Sequence, residues 1–220
     1  MGARVFVNVC GSTIDEYVEV TKVLSQVDGV AAIELNISCP NIKEGGIHFG
    51  CSLTGTHQVV SAVRKATSLP VIPKLTPNVT DVASFARASE EAGADAVSLV
   101  NTFLAMAIDV ETRRPTITNV MGGLSGPAIR PIAVRMVWEC YRLVKIPVIG
   151  MGGITDARDV IEFMLAGAAA VQIGTQNFID PFVWGKVLDG LRDYMTRHNI
   201  SHVRDLVGAF DPTPPKAVHA

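Results

Sequence analysis

The sequence predicts an α/β protein of the (β/α)8, TIM-barrel type, with about six βα units present. Three observations carry that prediction. Short apolar runs alternate with longer amphipathic stretches, the pattern of parallel strands buried on both faces and returned by helices. The joint Ala92-Gly93-Ala94-Asp95 has a near copy in Ala166-Gly167-Ala168-Ala169, so one helix-to-strand turn recurs. Polar or glycine residues close nearly every strand: Asn8, Asn36, Lys74, Asn101, Gly152-Gly153 and Gly174-Thr175. Functional groups at the carboxyl ends of successive strands are what a barrel mouth requires. An open doubly wound sheet would instead want Gly-x-Gly-x-x-Gly after its first strand, and Asn8-Val9-Cys10-Gly11-Ser12-Thr13 lacks it.

In chain order, the first strand is predicted over Val5–Val9, entered from Met1-Gly2-Ala3-Arg4, which has no signal-peptide layout. A helix over Ile14–Val27 returns to a strand over Ala31–Leu35, and a helix over Gly55–Thr67 returns to a strand over Val71–Leu75. Thr80-Asp81 caps a helix over Val82–Ala92, which leads to a strand over Ala96–Val100. Then come a helix over Ile129–Val144, a strand over Val148–Gly150, a second capped start at Thr155-Asp156 for Ala157–Leu165, and a strand over Ala170–Ile173. A helix over Pro181–Arg197 follows. The barrel portion is placed in residues 1–207, and the proline-rich residues 208–220 are expected to form a flexible tail.

Composition removes several functions. With 48% hydrophobic and 18% charged residues, the chain builds a core and is not a disordered segment. A net charge of -2 offers no basic field for nucleic acid. No apolar run approaches the ~20 residues of a membrane span. The four cysteines include no Cys-x-x-Cys pair, which argues against a metal site and favours a reduced, cytoplasmic setting.

The densest chemistry lies in Glu34-Leu35-Asn36-Ile37-Ser38-Cys39-Pro40-Asn41 and the glycine-containing loop after it. A strand leaves the core here and presents a thiol between two carboxamides. A cysteine thiol ordinarily titrates at ~8.5, near working pH, which suits acid–base work on a weakly acidic carbon. Packing is the other ordinary use of a cysteine, and spacing alone does not separate the two. Lys74, inside the apolar run Val71-Ile72-Pro73-Lys74-Leu75, needs a partner, because an unpaired buried ammonium costs several kcal/mol. Asparagines stand at successive strand ends, Asn36 and Asn101 among them, and each both donates and accepts; capping of a turn explains one of them more easily than several. Gly152-Gly153 and Gly174-Thr175, on the last two strands, stand at the usual barrel phosphate site.

Taken in order, Asn36-Ile37-Ser38-Cys39-Pro40-Asn41, Pro73-Lys74-Leu75-Thr76-Pro77-Asn78, Val100-Asn101-Thr102, Gly122-Gly123-Leu124-Ser125-Gly126-Pro127, Ile149-Gly150-Met151-Gly152-Gly153 and Gly174-Thr175 resemble segments of the class 1 dihydroorotate dehydrogenases. The resemblance extends to about Val207. Lys43-Glu44-Gly45-Gly46 is more similar to the NAD-linked class 1B than to the fumarate-linked 1A. Dihydropyrimidine dehydrogenases are close relatives, but they carry histidine where Asn41 stands. The resemblance implies FMN across the barrel mouth and oxidation of dihydroorotate to orotate in pyrimidine biosynthesis. It implies Cys39 as the general base for C5 while a hydride passes from C6 to the flavin, and Lys74 as a catalytic cation at the flavin's pyrimidine edge. Asn36, Asn41, Asn101 and Thr102 would bind the substrate; Asn8, Asn36, Lys74, Val100, Gly126, Gly152, Gly153, Gly174 and Thr175 would bind FMN. A homo-oligomer and, for class 1B, an FAD and iron–sulfur electron-transfer subunit are the implied partners.

The resemblance places Met1 near the family's third strand. The first two strands of the family, with their lysine and Asn-x-x-Gly-Leu loop, have no counterpart here, so the two N-terminal βα units are expected to be missing. Two alternative readings stand beside the enzyme: a catalytically weak or inactive flavin- or phosphate-binding remnant, and a dihydropyrimidine dehydrogenase-like oxidoreductase.

Overall fold

The structure is a computed structural model and describes residues 2–38 and 49–214. Six strands, β1 (Val5–Val9), β2 (Val30–Asn36), β3 (Val71–Lys74), β4 (Val97–Leu99), β9 (Val148–Met151) and β10 (Ala168–Gln172), form one sheet. Every neighbouring pair is parallel and the order along the sheet is β1-β2-β3-β4-β9-β10. The sequential parallel order is that of a partial barrel, as the recurrent joints predicted.

Side chains alternate across each strand, and the two faces have different fates. Ile33, Leu35 and Ile37 pack outward against Tyr17 of α1 (Ile14–Leu24) and Val59, Val60 and Val63 of α2 (Leu53–Ala66). Along the other half, Val97, Leu99 and Val148 meet α3 (Val82–Glu91), α4 (Arg130–Leu143), α5 (Ala157–Leu165) and α7 (Val183–Arg197) in a second cluster. The inner face carries its own small apolar cluster: Ala32, Ile72 and Ile149 from strands and Ala96 from the residue before β4.

Local chemistry explains the joints. Asp81 and Asp156 accept amide hydrogen bonds at the starts of α3 and α5, as expected, and Thr13 and Ser52 cap α1 and α2 in the same way. Gly93 and Gly167 adopt φ of 93° and 116°, the left-handed conformation that ends a helix before a strand. The chain continues past α7 through Gly208 and Phe210, whose amides donate to the carbonyls of Met164 and Leu165. The Phe210 ring also meets Trp138 edge-on, so the part of the expected 208–220 tail nearest the barrel is packed.

Strand ends moved by one or two residues, and one segment carries structure that the sequence did not announce. Between β4 and α4 the chain leaves the sheet and forms two antiparallel ribbons, β5 (Phe103–Ala105) with β8 (Gly122–Leu124) and β6 (Ile108–Asp109) with β7 (Arg114–Pro115). Strands of two or three residues have no readable alternation. A short helix, α6 (Thr175–Ile179), was also unforeseen; it follows β10 directly. No helix among the described residues is long and apolar enough to cross a membrane. No group of three or more His, Cys, Asp or Glu side chains among them is placed to hold a metal ion.

Candidate active site

The site is built on the inner face of the sheet, one step above its apolar floor. Two residues beyond Ala32, Ile72 and Ala96 along their strands stand Glu34, Lys74 and Ser98, joined by Asn8 of β1 and Gln172 of β10. Glu34 is 5% exposed and sits at the centre of this layer. Its Oε1 accepts from Ser98 Oγ at 2.7 Å and Gln172 Nε2 at 2.8 Å, and its Oε2 accepts from Asn8 Nδ2 at 2.6 Å. Lys74 Nζ lies 3.9 Å from the same Oε2, which supplies the partner a lysine in that run required.

Above this layer runs a line of carboxamides. Asn36 Nδ2 donates to Asn8 Oδ1 at 3.2 Å, and Asn101 Nδ2 donates to Asn36 Oδ1 at 3.3 Å and to Ser38 Oγ at 2.8 Å. Asn101 Oδ1 in turn accepts from the Thr102 amide at 2.8 Å. A fourth asparagine, Asn78, ties the β3 and β4 loops together by donating to the Thr102 carbonyl and accepting from the Leu104 amide.

The opposite wall is glycine. Gly126, Gly152 and Gly153 have φ of 89°, 123° and 78°, a region that side-chain-bearing residues rarely enter. A Cβ on Gly153 would stand 2.7 Å from the Gly126 carbonyl oxygen, so the two loops touch backbone to backbone. The amides of Gly152, Gly153 and Gly174 donate no hydrogen bond to any described residue. Thr175 Oγ1 donates to Ser125 Oγ at 2.8 Å and closes this wall. Between the two walls is a cavity of about 270 Å³, reached by Lys74, Asn101, Gly126, Gly152 and Gly174. Among the described residues, Lys74 is the one basic side chain on its lining. Unpaired amides at one end and a single cation at the other suit a long anionic ligand carrying a polar ring.

Of the residues singled out from sequence, Lys74, Val100, Asn101, Thr102, Gly126, Gly152, Gly153, Gly174 and Thr175 line the cavity. Asn8 and Asn36 stand behind Asn101 in the carboxamide line. Cys39 and Asn41 lie outside the described residues. The sequence assigned no role to Glu34, which only opens the segment that leads to Cys39, nor to Ser98 and Gln172. The signal for Glu34 was present, an acid inside the apolar run Ala31-Ala32-Ile33-Glu34-Leu35; Ser98 and Gln172 carried none. Cys140, expected to be packing, is fully buried, and burial pushes its thiol up to about 12, with Glu139 and Asp81 adding to the effect.

A parallel βα sheet with its polar groups and glycine cradle at the carboxyl ends of the strands defines a barrel-type ligand-binding protein. The chain belongs to the dihydroorotate dehydrogenase family, which it matches over residues 1–195. It is 54% identical over 207 residues to a Porphyromonas gingivalis protein named dihydroorotate dehydrogenase B (NAD(+)), catalytic subunit, covering 94% of this chain and 67% of that protein. A Bacteroides thetaiotaomicron protein of the same name is 54% identical over 208 residues, with 94% of this chain and 69% of that one covered. The chain thus spans about two thirds of the length of these relatives. Among solved structures, a dihydroorotate dehydrogenase of Eimeria tenella, in complex with ferulenol, superposes with a TM-score of 0.78 at 22% identity, covering 92% of this chain and 61% of that one. That likeness is one of fold.

Proposed function

We propose that this chain carries the flavin and substrate site of a dihydroorotate dehydrogenase of the NAD-linked B type, which oxidises dihydroorotate to orotate in pyrimidine biosynthesis. The observation that carries the reading is the facing of Lys74 and Asn101, the latter backed by Asn36 and Asn8, against the glycine wall of Gly126, Gly152, Gly153 and Gly174 across one cavity. The fit to FMN is chemical on both sides. The three free glycine amides suit a phosphate, and the positive-φ turns leave no side chain at Gly152 and Gly153 to crowd it. Lys74 supplies a fixed positive charge for the ring end.

FMN, when bound, supplies the two-electron acceptor for the hydride from C6 of dihydroorotate. The chain's own groups do the rest. Cys39, the residue after Ser38 in the sequence, takes the C5 proton as general base. Asn36 and Asn101, with Thr102 and Asn41, hold the substrate's ring amides and carboxylate, because carboxamides match both the donors and the acceptors of a pyrimidine edge. Lys74 holds its charge where negative charge grows during the reaction and needs no reorganisation to meet it. The names of the relatives, each a catalytic subunit, support a partner subunit and assembly as an oligomer; that the partner transfers electrons through FAD and an iron–sulfur centre follows from the resemblance to class 1B.

Titration of the purified protein with FMN, followed by quenching of flavin fluorescence, tests the cofactor. Anaerobic addition of dihydroorotate then tests the reaction through bleaching of the flavin's visible absorbance. Quenching and bleaching are expected. Quenching without bleaching would leave a flavin-binding protein of another activity, and the absence of both would overturn the reading.

A further inference from the structure

Two of the residues proposed to act on the flavin and substrate, Lys74 and Asn101, are organised from below by a carboxylate that does not line the cavity. Four donors from four other strands converge on Glu34: Asn8, Lys74, Ser98 and Gln172. Beneath it lies only the apolar floor of Ala32, Ile72, Ala96 and Ile149. A carboxylate can satisfy all four, since both its oxygens accept and neither donates.

That one-sidedness sets a direction. Asn8 must turn its NH2 toward Glu34, which leaves Oδ1 to face Asn36. Asn36 must then offer its own NH2 to Asn8 and its Oδ1 to Asn101. Each carboxamide nitrogen therefore points back toward Glu34, and the order of donors and acceptors at Asn36 and Asn101 follows from an acid two strand positions deeper. Among the described residues, the same acid is the one that forms an ion pair with Lys74, whose side chain is 19% exposed. We infer that Glu34 is the positioning residue of this site, fixing the Lys74 cation at the inner wall and orienting the Asn8–Asn36–Asn101 line.

This inference rests on the reading of the cavity as a flavin site. Glu34→Gln keeps the shape but removes the charge and replaces one acceptor with an NH2, which at either position faces at least one amide or ammonium donor. Lys74 then loses its partner and the carboxamides lose their fixed sense.

The test is a double-mutant cycle of wild type, Glu34→Gln, Lys74→Met and the pair together, read by FMN dissociation constant and by thermal melting. Each single change is expected to weaken FMN about tenfold, and the double change to be no weaker than the worse single, because both act through one cation. Melting should show the same coupling, with the double variant at least as stable as Glu34→Gln alone, since removing both partners of a buried pair costs less than stranding one. Glu34→Asp, which keeps the charge, should recover part of the affinity. Wild-type FMN affinity in Glu34→Gln, or losses that multiply to about a hundredfold in the double variant, would overturn the inference while leaving the flavin reading intact. No FMN binding by the wild type would overturn the flavin reading, and additive melting losses would still decide against Glu34 acting with Lys74. If Glu34→Gln does not fold, folding of the double variant supports the coupling and its failure counts against it.

Discussion

Gln172 Nε2 donates to Glu34 Oε1 at 2.8 Å, a contact between residues 138 positions apart on strands that are not neighbours in the sheet. The bond crosses the inner face from the second strand to the last and ties the carboxylate that pairs with Lys74 to the far edge of the sheet. Removing it in Gln172→Leu leaves Oε1 with Ser98 alone. The expected loss is about 1–3 kcal/mol of stability, measured by urea unfolding, because a buried acceptor loses a donor that water does not replace.

Cys39 is the proposed base and is not one of the glycines proposed to hold the phosphate. Cys39→Ala should lower turnover near neutral pH by about 10²–10⁴-fold, the usual worth of a positioned base. Flavin affinity should stay at the wild-type level. Steady-state assay with a dye acceptor, beside a fluorescence titration, separates the two; unchanged turnover would remove Cys39 from the chemistry.

Two glycines with similar backbone angles should respond differently to alanine. Gly29, at φ 90° in open space, carries only the conformational cost, about 1–2 kcal/mol. Gly153, at φ 78°, would also press a Cβ to 2.7 Å from the Gly126 carbonyl oxygen. Gly153→Ala should therefore lose more stability than Gly29→Ala, and it alone should lose FMN affinity. Equal losses would mean that the close approach of the two loops is not maintained in solution.

Asp81 caps α3 by accepting from Ser84, whose hydroxyl and amide bonds hold its carboxyl below the usual range. A depressed folded-state pKa means stability that is present above the unfolded value of 3.8 and is lost as pH falls through the lower folded value. Asp81→Ala should cost about 1 kcal/mol at pH 7, the typical worth of a cap. Near pH 3 the gap between variant and wild type should narrow, which unfolding curves at the two pH values will show.

Cys140 is buried with its thiol raised to about 12, whereas Cys10 and Cys51 are exposed. Iodoacetamide at pH 8 should alkylate Cys10 and Cys51 in the native protein and reach Cys140 only after denaturation. Peptide mass mapping reads each site separately, and native labelling of Cys140 would contradict the packing of α4.

What the sequence determined by itself was the repeating unit: apolar runs, capped helix starts and the Gly93 and Gly167 joints are local features, each legible within a few residues. The strand-end residues Lys74, Asn101 and Gly152-Gly153 were legible for the same reason, because alternation and glycine patterns mark where a strand meets its loop. Only the tertiary structure decided who partners whom. Glu34, Ser98 and Gln172 are scattered along the chain, and nothing local says that they point to one spot; strand register and sheet curvature bring them together. The ribbons between Phe103 and Leu124 escaped notice because strands of two or three residues are set by pairing across the excursion and not by their own pattern. Burial of one carboxylate under four converging donors is a property of the assembled sheet, and that property is what seats the cation of Lys74.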